Sequence, residues 1–290
     1  MIGIRSALSG IAAMALAGGA LAPAAADPAD GLAARRLVVE RAAAAIDRLD
    51  ELDRMVDAAL ALARRGAARV VSGAEPPGPP LIEAAAVLAR ADGAAADARS
   101  AVRAADGARR AQEPATPLPE PAFVAGEVGS IGGQLEATVA AAESFAQMRR
   151  RAEALVGGLD AALEALVDGD LAEADRLVTA ARTDHDAVSA WEVELVTLPI
   201  WIATTDALIA DVEALLAATR AGDAPAAEAA AEAFAARAEE AATADRALRI
   251  AMSEGGAAVT APPLGRLATL RADIRDERLR MDALRLGVSP

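Results

Sequence analysis

His185 is the only histidine in the chain, and it stands between two carboxylates in Thr183-Asp184-His185-Asp186. Both tryptophans, Trp191 and Trp201, follow in the same stretch. Imidazole beside carboxylates is a metal-ligand set and a proton-transfer set. Paired indoles are the walls of pockets for apolar or sugar-like molecules. Each chemistry sets a geometric condition. On a helix, sequence neighbours point about 100° apart, so Asp184, His185 and Asp186 diverge. A metal pair needs its second ligand three or four positions from His185. Those positions hold Ala181, Arg182, Val188 and Ser189, none of them a ligand. The tetrapeptide is therefore expected to be a solvated polar turn that interrupts an apolar stripe. No metal ligand and no catalytic residue is assigned.

Trp191 and Trp201 are about three helical turns apart, which would bring them to nearly one side. Pro199 between them disturbs that geometry. They either fill gaps among small alanines or line a pocket, and they are the candidate ligand-binding residues.

Other polar groupings fit known chemistry less well. Asp168-Gly169-Asp170 lacks the spacing of a calcium loop and reads as a cap or turn. Ser253 lacks the frame of a nucleophile elbow. Gly255-Gly256 lacks the strand and lysine of a phosphate loop. Arg149-Arg150-Arg151 reads as a solvated face in which Arg149 can pair with Glu153. Carboxylates are so numerous that none stands out.

The chain has 290 residues and contains no cysteine, lysine, tyrosine or asparagine. Most nucleophile and base repertoires are thus missing, so the chain is expected to be neither an enzyme nor a cofactor carrier. Lys, Asn and Tyr have AT-rich codons, so their absence points first to a GC-rich bacterial genome. The net charge of −14 repels phosphate backbones and anionic lipids, which argues against nucleic-acid and membrane partners. Aromatic residues make up 2%, leaving few platforms for base stacking.

Alanine and arginine are strong helix formers, and runs alternating with period two are few. The expected fold is all-α, a bundle of long amphipathic antiparallel helices joined by Pro- and Gly-marked turns. Residues 1–26 read as a signal peptide. Arg5 is followed by an apolar run, and Ala24 and Ala26 occupy the small-residue positions of a cleavage site. A secreted or cell-envelope location by the general export route follows, with no membrane attachment after cleavage. Residues 27–111 read as an N-terminal helical hairpin, 112–126 as a Pro-rich linker or loop, and 127–290 as a C-terminal bundle. In the hairpin Ala42, Ile46, Leu49, Leu52, Val56, Leu60 and Ala63 make one stripe. Asp92-Gly93 is expected to kink or break its second helix. Arg99 and Arg103 repel one another unless Asp106 or a neighbouring helix neutralises them.

Beyond residue 127, Trp201, Leu208 and Leu215 recur every seven residues, beside Ile202, Ile209 and Leu216. That beat suits a bundle seam. Leu171 to about Leu195 is expected to be one helix. "SEGGAAVTAPP" (253–263) is expected to be a loop, because prolines remove helix donors. Gly169-Asp170 and Gly222-Asp223 each combine a C-terminal glycine with an N-capping aspartate, so each should close a hairpin.

The function these features suggest is a non-catalytic interaction, spacer or chaperone-like module that engages a protein partner or a second copy of itself. The alternative is a helical protein that binds a small molecule near Trp191 and Trp201. A carboxylate-based metal-binding protein is the second alternative.

Overall fold

The computed structural model describes residues 28–73, 75–112, 116–124 and 126–288. The expected signal peptide, with Ala24 and Ala26, lies outside the described residues. Among the described residues there are six α-helices and no strand. They are α1 (Pro28–Ser72), α2 (Gly78–Gln112), α3 (Glu127–Val167), α4 (Leu171–Ser189), α5 (Leu198–Ala221) and α6 (Ala224–Leu286). The fold is all-α. No helix of the described residues is long and apolar enough to cross a membrane.

Seven-residue periodicity sets how the helices meet. On α1, Ala42, Leu49, Val56 and Ala63 form a buried seam. The C-terminal half of α6 runs antiparallel along that helix, and Arg271 reaches Asp53 at 3.2 Å. α2 folds back on α1 and passes the chain to α3. There Asp92 of α2 accepts hydrogen bonds from the N–H groups of Gly126 (2.8 Å) and Gly129 (3.1 Å). The far half of α3 pairs with α4 through Arg151–Asp184 at 3.0 Å. α4 pairs with α5 through Arg182–Glu213 at 3.0 Å.

Two four-helix groups result, and α3 and α6 are common to both. One group takes α1, α2, the start of α3 and the end of α6. The other takes the end of α3, α4, α5 and the start of α6. α3 and α6 cross where Gly255 and Gly256 pass Phe145 and Val70. A Cβ on Gly256 would lie 2.2 Å from Val70 Cγ1, and one on Gly255 would lie 2.7 Å from the Phe145 ring. One core cluster runs through both groups, from Val38 to Leu284.

The Gly-Asp turns form as the sequence indicates. Gly169 and Gly222 adopt φ +77° and +70°. Asp170 and Asp223 accept the N–H groups of Glu173 (3.0 Å) and Ala226 (3.1 Å). Arg99 and Arg103 are neutralised by Glu120, at 3.1 and 3.0 Å. Glu120 lies in the proline-rich stretch. That stretch is strapped to the bundle by buried Phe123 and by Leu118, whose N–H donates to Asp106.

Several local expectations are corrected. Residues 253–263 are helical, within an unbroken 63-residue α6 that contains Pro262 and Pro263. The buried seam Met252, Gly256, Thr260, Pro263, Leu267, Leu270 continues through the prolines. Packing against the neighbouring helices therefore overrides the local breaker. Asp92-Gly93 does not interrupt α2, because Asp92 is held by the start of α3. α4 ends at Ser189 rather than near Leu195. The arginine triplet is not a solvated face. Arg149 reaches Ser253 at 2.8 Å, Arg150 reaches the Gly73 carbonyl at 3.3 Å, and Arg151 reaches Asp184.

Candidate functional site

His185 is buried at 5% exposure, not on a solvated turn. It lies on the inner face of α4, with Ala181 and Val188 buried beside it. Its ring stacks on Trp201, with centroids 5.9 Å apart and planes 20° from parallel. Nε2 sits 3.2 Å from the Ile202 carbonyl, so a proton there donates to it. Trp201 is fully buried at the start of α5. Trp191 goes elsewhere. It lies in the connection between α4 and α5, its Nε1–H donates to Ser144 Oγ at 2.8 Å, and its ring meets Phe145 edge-on at 5.0 Å. The structure thus brings His185 to Trp201, and Trp191 to the α3–α6 crossing. Among the described residues, no group of three or more histidine, aspartate or glutamate side chains is placed to hold a metal ion.

A concave feature lies one turn beyond Trp201. Thr205 Oγ1 donates to the Trp201 carbonyl at 2.6 Å, and Thr205 lines a cleft of about 350 Å³. Neither tryptophan lines this cleft. It lies between the far half of α3 and the start of α6. Towards its N-terminus α6 leans on α5, where Arg237 pairs with Asp211. That hydrogen bond, with the carboxylate charge, holds the Arg237 guanidinium even more firmly protonated than usual. Space opens between the two long helices. Leu155 and Leu159 of α3, Leu208 of α5 and Phe234 of α6 form apolar walls.

Asp245 is the unusual wall residue. It is 8% exposed and stands in the apolar seam of α6 between Ala241, Ala244 and Leu248. Its Oδ2 accepts from Arg249 Nε at 2.7 Å, while its Oδ1 is buried without a partner. Arg249 also reaches Glu153 at 3.3 Å, and Glu153 in turn pairs with Arg149 at 3.1 Å. At the rim, Asp160 and Arg246 are exposed. The hollow thus combines apolar walls with the Asp245 and Asp160 carboxylates and the Thr205 hydroxyl.

No family model, curated protein or solved structure matches this chain. The site is therefore read from its own geometry. The cleft residues carry one signal in the sequence. Asp245 falls on the buried face of α6 with Arg249 four positions on, a charge set into an apolar stripe.

Proposed function

We propose that this chain is a non-catalytic, exported helical protein that binds a small, largely apolar molecule in the cleft between α3, α5 and α6. The cleft carries the reading. Its volume is in the range of small-ligand sites, and its walls are mostly aliphatic with a few convergent polar groups. Its setting is a rigid frame, because α3 and α6 are fixed to each other at the crossing and braced on both sides. The export pattern of residues 1–26 supports an extracytoplasmic setting.

The test is thermal denaturation with an uncharged eight-carbon alcohol, n-octanol, as probe. Wild type should melt at a higher temperature as n-octanol is added. Ala238→Phe fills the cleft from its rim and should abolish that response while leaving the unliganded melt unchanged. An equal response in the two proteins overturns the reading.

A second reading, the interaction module, is favoured by the start of α6. From Ala224 to Glu240 most side chains are exposed. Glu228, Glu232 and Glu239 lie on one stripe among alanines small enough to let another helix approach closely. Charge complementarity selects a partner helix that carries arginine or lysine rather than a second copy of this acidic chain. A photocrosslinker at Ala235 should capture such a partner from the secreted fraction. Adducts containing only this chain overturn that reading.

A further inference from the structure

We propose that a second copy of this chain packs on the outer face of α2, antiparallel to it, with the two-fold axis at Gly93. The face is separate from the cleft, which α2 does not line. α2 packs against α1 and α3 and leaves its remaining face open. On that face Glu83, Arg90 and Asp97 form a row with a seven-residue repeat, in which the charge alternates in sign. All three are exposed, and among the described residues none has an ion pair or a hydrogen bond from its side chain.

This alternation is self-complementary. When identical helices pair antiparallel about a two-fold axis, each flanking row meets its own copy. With the axis at Gly93, Arg90 of each copy faces Asp97 of the other, which gives two ion pairs by symmetry. Sliding one helix by a heptad sets Arg90 against Arg90 in one direction and Asp97 against Asp97 in the other. Like charges then meet, so the charge row selects a single register.

Shape agrees with charge. The neighbouring row is Ala86, Gly93 and Ser100, all exposed and small enough for helix axes to approach to about 8 Å. A Cβ at Gly93 would meet nothing within 4 Å in the single chain. On the far side of that row, exposed Ile82 would lie along the alkyl stem of Arg103 of the second copy. The net charge of −14 opposes association at long range, but at physiological salt charges separated by more than about 8 Å are largely screened. One helix face of small residues is less than a standard interface, so the dimer is expected to be reversible and in the micromolar range.

The test is sedimentation equilibrium of the purified protein at physiological salt, which should show monomer and dimer exchanging. Arg90→Asp sets aspartate against Asp97, and Asp97→Arg sets arginine against Arg90. Each variant alone should dimerise at least about tenfold more weakly than wild type. Mixed in equal amounts, the two should form a heterodimer about as tight as the wild-type dimer, because every facing pair is again of opposite charge. Gly93→Leu should abolish association while melting no lower than wild type, since leucine is the better helix former. These positions are exposed in the single chain, so loss of pairing is distinguishable from loss of folding. A protein that stays monomeric up to about 1 mM overturns the proposal. A dimer that survives Gly93→Leu, or that both charge reversals leave unchanged, or whose reversed variants do not pair on mixing, overturns it as well.

Discussion

His185 and Trp201 lie face to face across the α4–α5 pair, their ring centroids 5.9 Å apart. Both are buried, so each ring is the other's packing surface. Trp201→Ala should cost about 3–5 kcal/mol, the usual range for a buried aromatic. His185→Ala should cost less, because the imidazole is smaller and its one hydrogen bond goes to a backbone carbonyl. In urea unfolding the double variant should lose less stability than the sum of the single ones, since the second truncation removes a contact already gone. Strict additivity would show that the stack is incidental.

The close approach of α6 to the end of α1 depends on Gly256. Alanine there gains about 1 kcal/mol of helix propensity. Against that, the added methyl collides with Val70 Cγ1. Val70 is buried and β-branched on a helix, so its rotamer cannot swing away freely. Overpacking of this kind costs about 1–3 kcal/mol, so Gly256→Ala should be destabilising. Introduced into a Val70→Ala background, the same change should become neutral or stabilising. Gly93 is the control. Nothing lies within 4 Å of a Cβ there, so Gly93→Ala should stabilise by about 0.5–1 kcal/mol.

Asp92 caps a helix to which it does not belong. The first turn of α3 begins at Gly126, which has no side chain to offer, and Asp92 of α2 accepts two of its N–H groups. Asp92→Ala should cost about 1–2 kcal/mol, as loss of an ordinary cap does. Hydrogen exchange should quicken in the first turn of α3 rather than around residue 92.

These cases show which parts of the architecture can be read from the chain. The apolar stripes of α1 and α6 were legible because burial follows helical spacing, and Leu49, Val56, Leu267 and Ile274 are all buried. The Gly169-Asp170 and Gly222-Asp223 turns were legible because their chemistry is local. Pro262-Pro263 misled, since the donor they remove is a local loss while the packing that holds α6 together comes from distant helices. His185 misled for the same reason: the aromatic face that shields it lies on another helix. The cleft could not be read at all. It is a gap between helices, and its one trace in the sequence is Asp245 on an apolar face.

Glu277 makes the stability of the fold depend on pH. It is 2% exposed on α6; Oε2 accepts from Arg280 at 2.8 Å, and Oε1 has no partner. Burial pushes its carboxyl above the ordinary 4.5, Arg280 draws it down, and Glu120 pushes it up again. In the unfolded chain Glu277 returns to its ordinary value. Between the two values the folded protein binds more protons than the unfolded one, so this group's contribution to stability falls as pH rises. Below 4.5 the penalty is absent, and above the folded value it is complete. Gln at 277 keeps the shape and removes the titration. Measured by urea unfolding at a series of pH values, Glu277→Gln should gain on wild type as pH rises from 4.5 to the folded value and hold level above it. The broken Arg280 pair subtracts a constant at high pH, softened because Arg280 also donates to the Pro119 carbonyl at 3.2 Å. A difference between the two proteins that is the same at pH 5 and pH 8 would mean that the Glu277 carboxyl titrates alike in the folded and unfolded chains.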